Sequence, residues 1–236
     1  MGTLVQDNKE LVIAIDGPGG SGKSSVAKMV ATTLGILYID TGAMYRALAL
    51  ASQEANIDLQ NKNELHHFLK NIKMEYESSP LRIAVGGVDL GQRIREHHVS
   101  KLASVVSQIP EIRDFLVNFQ RKLGKKHFCV MEGRDIGTVV FAQAFCKVYL
   151  TASPEVRAKR RLEELSEKGM AQGLTMESVH KDIADRDKQD MEREHSPLKR
   201  AVDAVLLDTS DLTLAQVVEG ICLIAKDKAH EIGKSL

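Results

Sequence analysis

The chain has 236 residues, 43% of them hydrophobic, which is enough to bury one substantial core. Its 32 basic and 32 acidic residues cancel, so no overall field favours nucleic acid or an anionic membrane, and phosphate binding must come from locally placed cations. The odd number of cysteines does not indicate a disulfide framework, and we expect Cys129 and Cys146 to be small core residues in a reducing compartment. Because we find neither an apolar leader nor an apolar run long enough to span a bilayer, we expect a cytoplasmic protein.

Short apolar runs alternate with helical patterns along most of the chain. The first run, Leu11–Ile15, precedes a glycine cluster and a helical pattern that extends to Leu34, where Gly35 is a natural end residue. Further strand-like runs lie at Ile36–Ile39, His127–Met131, Cys146–Leu150 and Ala204–Leu207. Further helical patterns lie at Asp40–Asn56 (capped by Asp40 or Thr41), Glu111–Leu123, Glu155–Lys168, Thr175–His195 and Leu214–Glu231. Wholly apolar strands separated by helices are typical of a parallel sheet covered on both faces, so we predict an α/β core.

The segment from about Ile57 to Pro110 breaks this alternation. Its runs KMEYE and LRIAV, followed by the turn GGVDLG, indicate a small strand-bearing insertion. Within it, Asn61–Glu64 (NKNE) is the nearest approach to a guanine-reading Asn-Lys-x-Asp stretch. It ends in the wrong acid and is interpreted as a solvated charge cluster, which argues against a GTPase. We predict one α/β core with an inserted subdomain and a helical flap.

A glycine-rich loop follows the first predicted strand. Gly17–Ser24 reads GPGGSGKS, a full match to the phosphate-loop pattern G-x-x-x-x-G-K-[ST], between a strand and a helix. Glycines allow consecutive backbone N–H groups to turn around phosphate oxygens, and the helix N-terminus adds a partial positive charge. Lys23 can reach the β- and γ-phosphates, and the Ser24 hydroxyl can be a Mg²⁺ ligand. The motif predicts that a nucleoside triphosphate binds here.

Polar groups also follow two further strands of the predicted sheet. Asp40–Gly42 (DTG) follow the second strand, with Tyr45 and Arg46 in the next helix, and Glu132–Asp135 (EGRD) follow the third. Ligands of open α/β sheets bind beyond the carboxyl ends of the strands, so we expect these groups to converge on one edge. Glu132, just beyond its strand, suits a water-mediated role at Mg²⁺, with a surface carboxylate at a turn as the alternative.

Two late helices carry charged faces. In the helix predicted at Thr175–His195, steps of four and three residues define one stripe, which consists of Val179, Ile183, Arg186, Asp190 and Arg193. The stripe begins apolar and ends charged, which fits either a binding surface or a face that leaves the core for water. In the helix predicted at Glu155–Lys168, Arg157 and Arg161 share a face, and Arg160 lies beside them. That pattern fits either a phosphate-binding flap or a basic surface helix.

Together these motifs resemble the bacterial type of cytidylate kinase, and the resemblance extends from about Leu11 to the C-terminal helix. The motifs that carry it are GPGGSGKSS at Gly17–Ser25, DTGAMYR at Asp40–Arg46, EGRDIGTVVF at Glu132–Phe141, and the Arg186/Asp190/Arg193 stripe. The resemblance implies a P-loop core with a five-stranded parallel sheet flanked by helices, an inserted monophosphate-binding subdomain and a short helical lid. It also implies transfer of the γ-phosphate of ATP to CMP or dCMP, with Mg²⁺ as cofactor.

The resemblance assigns roles to residues at matching positions. ATP is expected to bind Gly17, Pro18, Gly19, Gly20, Ser21, Gly22, Lys23, Ser24 and Ser25. The expected catalytic cations are Lys23, Arg134, Arg157 and Arg161. The expected metal ligands are Ser24 and, through water, Glu132, where the family more commonly has Asp. The expected CMP contacts are Thr41, Arg113, Asp135 and Arg193 at the base, Arg46 and Arg134 at the phosphate, and Ser104, Arg186 and Asp190 at the sugar.

The implied domain covers residues 10–232. Its core takes about 10–40, 105–155 and 198–232, its insert about 41–104, and its lid about 156–190. We expect a monomer whose partners are ATP and CMP or dCMP, with no nucleic-acid or membrane partner. Two other functions stay open on the residues alone. One is a kinase of another nucleoside monophosphate or of a small hydroxy acid, and the other is a non-catalytic NTP-dependent binding module.

Overall fold

The computed structural model describes residues 9–78, 81–125, 128–167 and 169–236. The expectations for the N-terminal residues 1–8 lie outside this part of the chain, as do His127 and Lys168 at the ends of two predicted elements. The chain divides into two compact units. The first unit combines Met1–Tyr38 with Leu123–Leu236, and the second is Ile39–Lys122.

The described residues form strands and helices in the order that the sequence predicts, with additions in the second unit. The strands are β1 (Glu10–Asp16), β2 (Leu37–Asp40), β3 (Met74–Ser78), β4 (Leu81–Val85), β5 (Val88–Asp89), β6 (Cys129–Gly133), β7 (Ala144–Thr151) and β8 (Val205–Asp208). The helices are α1 (Lys23–Leu34), α2 (Thr41–Glu54), α3 (Lys62–Asn71), α4 (His97–Val106), α5 (Pro110–Gly124), α6 (Pro154–Glu167), α7 (Met176–Glu192) and α8 (Leu214–Glu231).

A five-stranded sheet with the order β2-β6-β1-β7-β8 forms the core of the first unit, which confirms the predicted α/β class. The central strand β1 pairs in parallel with β6 and β7, and β7 pairs in parallel with β8. Ile15 lies opposite Glu132, and Asp16 lies opposite Gly133. Because β1 and β6 end at the same level, the residues that follow them come to one edge of the sheet.

The structure corrects the predicted end of the third core strand. Glu132 lies inside β6 rather than just beyond it, and it is buried. The reason is the parallel partner: β1 continues to Asp16, so its ladder with β6 continues to Gly133. A carboxylate thus lies within a buried strand, where it needs compensating partners.

Apolar side chains cover the sheet of the first unit. Helices α1 and α8 pack together over it, and Val30 and Ile221 are among the buried residues of that layer. Cys146 and Cys222 belong to the same layer, and Cys129 is fully buried in β6, so the prediction that Cys129 and Cys146 are core residues is confirmed. Helices α6 and α7 form a smaller apolar cluster of Ala158, Val179 and Ile183.

The second unit contains the predicted strand-bearing insertion. Its strands β3, β4 and β5 form an antiparallel sheet. Two of its helices, α3 and α4, were not predicted. The Asn61–Glu64 stretch is a helix start and not merely a solvated charge cluster, because the Asn61 side chain accepts hydrogen bonds from the backbone of Asn63 and Glu64 at 3.2 and 3.3 Å. Among the helices of the described residues, none is long and apolar enough to cross a membrane.

Candidate active site

The glycine-rich loop after β1 has a backbone that only glycine fits. At Gly17, a Cβ atom would lie 2.0 Å from the carbonyl oxygen of Leu150, so any side chain would collide with the end of β7. At Gly22, φ is +88°, a left-handed conformation, and the residue caps the N-terminus of α1. The loop therefore passes close to the end of β7 and leads directly into the N-terminus of α1, an arrangement that favours anion binding.

Lys23 is buried at the start of α1. Its Nζ donates to the carbonyl oxygen of Pro18 at 2.6 Å and to Ser21 Oγ at 3.3 Å. Burial, and then the charge of Arg134, lower the pKa of Lys23 to about 7, against the opposing effect of the nearby carboxylates. The ammonium group is thus held inside the loop, where an arriving phosphate would favour its charged form.

Ser24 and Glu132 form an oxygen pair between α1 and β6. The Ser24 hydroxyl donates to Glu132 Oε1 at 2.5 Å, and the Tyr38 hydroxyl lies 3.3 Å from the same oxygen. Within the described ranges, no cluster of three or more His, Cys, Asp or Glu residues could hold a metal by itself. Mg²⁺ usually binds one or two protein oxygens together with substrate phosphates and water, so a hydroxyl beside a carboxylate fits it.

Asp16, the last residue of β1, holds the loop that follows β6. Its two carboxylate oxygens accept backbone N–H bonds from Ile136 at 2.8 Å and Gly137 at 2.7 Å, at the start of the π-helical turn Ile136–Val140. Burial raises the pKa of Asp16 to about 6, although both hydrogen bonds act against the shift. Asp16 thereby fixes the segment that carries Arg134 and Asp135.

A buried network of opposite charges joins that segment to α7. Arg134 Nε donates to Asp190 Oδ2 at 2.9 Å, and Asp190 Oδ1 lies 3.4 Å from Arg193 Nη1. Arg193 Nη2 lies 3.6 Å from Asp135 Oδ1, and both side chains are less than a tenth exposed. Burial opposes ionisation of Asp190, yet Arg134, and then Arg186 and Arg193, keep its pKa below the usual value. The charged end of the stripe therefore does not leave the core for water.

The structure corrects one detail of the stripe. Helix α7 ends at Glu192, and Arg193 is its C-cap residue, with an extended backbone at ψ 140°. The chain turns there because the Leu198 N–H bonds the Asp190 carbonyl at 2.7 Å, and Arg193 Nε donates to the Ser196 carbonyl at 2.6 Å. The Arg193 side chain still reaches Asp190, so the stripe keeps its predicted members.

The three arginines of α6 have different partners. Arg157 donates through Nη1 to the Gly19 carbonyl at 3.0 Å and pairs with Asp187 of α7. Arg160 donates to Thr209 Oγ1 at 2.8 Å and to the Thr209 carbonyl at 2.7 Å. Arg161 pairs with Glu164 of its own helix at 2.8 Å. Of the two arginines that were predicted to be catalytic on this helix, the structure brings Arg157 to the glycine loop and pairs Arg161 with its own helix.

The second unit holds the other predicted acceptor residues. Asp40 caps α2 by accepting the Ala43 N–H at 2.8 Å and pairs with Arg46 at 3.3 Å, while Thr41 is buried beside it. Arg113 is buried on α5, its guanidinium lies 5.6 Å from the Tyr45 ring centroid, and it donates to the Ser107 carbonyl at 3.2 Å. Ser104 Oγ donates to the Ser100 carbonyl at 3.3 Å.

Known proteins resemble this chain over nearly its whole length. A family model described as cytidylate kinase matches residues 13–227. The chain belongs to the cytidylate kinase family. It is 44% identical to a cytidylate kinase of Thermosipho melanesiensis over 216 residues, which cover 92% of this chain and 97% of the relative. It is 43% identical to a cytidylate kinase of Halalkalibacterium halodurans, over 93% of this chain and 99% of the relative.

One solved structure supports the fold alone. A crystal structure of an uncharacterized protein from Eubacterium ventriosum ATCC 27560 matches at a TM-score of 0.51 and 14% identity. The match covers 93% of this chain and 99% of that one. The predicted resemblance to cytidylate kinases and the predicted five-stranded parallel core are confirmed.

Sequence reasoning missed several residues that shape this cytidylate kinase fold. Asp187 lies four residues after Ile183 and three before Asp190, so it shares the helix face of the predicted stripe. Steps of four and then three residues from Ile183 would have included it. Asp16 was visible as a carboxylate directly at the end of a buried apolar run. Tyr38 carried no comparable signal, because its partner Glu132 lies far away in sequence.

Proposed function

We propose that this protein transfers the γ-phosphoryl group of ATP to CMP or dCMP, giving ADP and CDP or dCDP. The observation that carries the proposal is the position of Arg134. A Cβ atom at Gly19 would lie 4.0 Å from Arg134 Nη2, so the guanidinium after β6 stands beside the phosphate loop after β1. A cation in that position can contact a phosphoryl group while it moves from donor to acceptor.

The donor side consists of the glycine loop and α1. We infer that Gly17–Ser25 bind the phosphates of ATP, with Lys23 at the β- and γ-phosphates, where its buried ammonium is already fixed by Pro18 and Ser21. We propose that Ser24 and, through water, Glu132 hold Mg²⁺. When bound, the ion would offset charge on the phosphate oxygens. The pair at 2.5 Å supports this proposal because both groups are oxygen donors of the kind that Mg²⁺ prefers.

The acceptor side is proposed from the charged network and from the resemblance. Arg134 is proposed to bind the CMP phosphate, and Asp190 with Arg186 the sugar. Asp135 and Arg193 are proposed to bind the base. The network that joins Asp190, Arg134, Arg193 and Asp135 supports these roles, because it is buried and of mixed sign. For the residues of the second unit the support is the resemblance, which assigns Thr41 and Arg113 to the base, Arg46 to the phosphate and Ser104 to the sugar.

The mixed charge suits cytosine. Its exocyclic amino group is a donor that the Asp135 carboxylate can accept, and its N3 and O2 are acceptors that suit an arginine. Uracil has the acceptor O4 in place of the amino group, and its N3 carries a proton and is a donor. It would therefore leave buried groups of the protein unpaired. Such a mismatch can support discrimination of about 10⁴-fold.

The chemistry requires no general base, because the attacking atom is an anionic phosphate oxygen. Catalysis then depends on bringing two polyanions together and on cations around the transferring group. Lys23 is buried in the loop, Arg134 lies beside it half-buried, and Arg157 contacts it through Gly19. Arg161 is proposed as a further cation, which would have to leave Glu164 to act.

An acceptor panel tests the proposal. ADP formation is measured with CMP, dCMP, UMP, AMP, GMP and shikimate at equal concentrations. CMP or dCMP should be preferred by orders of magnitude in kcat/KM. Preference for another acceptor would overturn the substrate assignment, and tight ATP binding without turnover on any acceptor would indicate a binding module. We also propose that the protein is cytoplasmic and monomeric. Cell fractionation would test the location, and sedimentation would test the oligomeric state.

A further inference from the structure

A closed set of contacts joins α7, α6 and the glycine loop. Asp187 Oδ1 accepts the Gly19 N–H at 2.8 Å, and Asp187 Oδ2 pairs with Arg157 Nη1. The same Arg157 nitrogen donates to the Gly19 carbonyl at 3.0 Å. Three hydrogen bonds therefore link Asp187, Gly19 and Arg157 in a ring that includes both polar groups of one peptide residue.

This ring is buried and sterically tight. The Asp187 side chain is 4% exposed and that of Arg157 is 12% exposed, and charges so poorly solvated persist in proteins when they are paired. A Cβ atom at Gly20, where φ is +71°, would lie 2.6 Å from the Arg157 carbonyl oxygen. The backbone of α6 thus packs directly on the loop, so a change in the Arg157 geometry would be transmitted to it.

We propose that Asp187 is a positioning residue of the donor site, which holds the Arg157 guanidinium against the glycine loop so that it faces the phosphates of ATP. The inference rests on the proposed function for its substrate, and it adds a residue to which that function assigned no role. Asp187 acts through Arg157, because a carboxylate in direct contact with a phosphoryl group would repel it. Its charge has a second effect in the same direction, since it favours the protonated forms of Lys23 and Arg134.

The arrangement has a competing explanation. The Asp187 carboxylate could occupy the loop only until ATP arrives and then be displaced by a phosphate. The two explanations predict opposite effects of an Asp187 substitution on ATP binding. Removal of a positioning charge weakens ATP binding and slows turnover, whereas removal of a competing anion strengthens ATP binding.

The test uses the full chain with the variants Asp187→Asn, Arg157→Ala and the double variant. Asparagine keeps an acceptor for the Gly19 N–H and nearly the same shape, but it loses the charge that holds Arg157. Asp185→Asn is the matched control, since Asp185 is an exposed carboxylate on the same helix. Thermal melts establish that each variant is folded. Calorimetry then gives the Kd for ATP alone, and initial rates give kcat and KM for ATP and CMP.

We expect Asp187→Asn to weaken ATP binding and lower kcat by roughly 10- to 100-fold, with the KM for CMP within about threefold of the original protein. The double variant should be no worse than Arg157→Ala, because both changes remove one interaction. Asp185→Asn should behave as the original protein does. Multiplicative losses in the double variant, or tighter ATP binding in Asp187→Asn, would overturn the proposal. The Kd for ATP is measured without an acceptor, so it still tests the role of Asp187 if the acceptor panel contradicts the proposed substrate.

Discussion

The buried carboxylate at the end of β1 gives a prediction whose size can be worked out. Asp16 has its pKa raised from 3.8 to about 6, chiefly by burial. Each unit corresponds to about 1.36 kcal/mol, so the ionised carboxylate lowers native-state stability at neutral pH by about 3 kcal/mol relative to the protonated one. Because the native state binds this proton more tightly than the unfolded chain does, the Asp16 contribution is fully present below about pH 4 and is lost as pH rises through 6.

The perturbation is Asp16→Asn, since asparagine has a similar shape and does not titrate. Urea denaturation at several values between pH 4.5 and 7.5 gives the free energy of unfolding of the original protein and of the variant. The difference between them isolates Asp16, because other groups titrate in both chains. We expect the original protein to lose about 2 kcal/mol relative to the variant as pH rises across this range, since part of the roughly 3 kcal/mol is already lost between pH 4 and 4.5. A constant difference, or one that changes in the opposite direction, would refute the reasoning.

The activity of Asp16→Asn should fall even where its relative stability rises. The ionised carboxylate provides two acceptors for the N–H groups of Ile136 and Gly137, whereas an asparagine oxygen can serve one and its amino group must face the other. The turn after Arg134 should then be less well fixed, so kcat should fall at pH 7.5 where the variant gains in relative stability. Asp185→Asn serves as the control for both measurements, since its carboxylate is exposed on α7.

Three further predictions concern the donor and acceptor groups. Lys23→Ala should lower kcat by at least about 10²-fold with an unchanged melting profile, and near-normal turnover would contradict the donor assignment. The kcat/KM for ATP should fall as pH rises through about 7, because the free enzyme then loses the Lys23 proton. Lys23→Arg should remove that pH dependence, and a flat profile in the original protein would contradict it. Arg186→Ala should affect CMP and dCMP unequally if Arg186 contacts the sugar, and equal losses in kcat/KM would exclude that role.

The sequence was sufficient for the core because its elements are signalled locally. Wholly apolar runs predicted the parallel strands, and Gly35 predicted the end of α1, where the structure has a left-handed glycine at φ +65°. The glycine loop was recognisable for the same reason, since its requirement for N–H groups and a lysine fixes both residue types and spacing. Helices α3 and α4 escaped prediction because α3 begins on a polar stretch and α4 follows directly on a short 3₁₀ turn at Gly91–Arg95.

The contacts around the site were less predictable because they join residues that are distant in the chain. Asp187 lies 168 residues from Gly19, and Asp16 lies 120 residues from Ile136. Charge patterns in a sequence state which groups share a helix face, but the partner on another element is set by tertiary packing. The stripe on α7 illustrates this limit, since spacing alone allowed both a solvated face and the buried pairs that Asp190 forms.

The placement of these carboxylates follows from what a site for two polyanions requires before they arrive. Several buried cations near one another repel and are poorly solvated, so without compensation they would lose protons or destabilise the fold. Burial lowers the pKa of Lys23 in this way. Burial also acts to lower the pKa of Arg134, but the charges of Asp190, Asp187 and Glu132 outweigh it and keep Arg134 protonated. The acidic residues of β6 and α7 thus keep the cations charged and fixed in the absence of substrate. The mixed charge of Glu132, Arg134 and Asp135 is therefore a condition for the preorganised phosphate-transfer site that we propose.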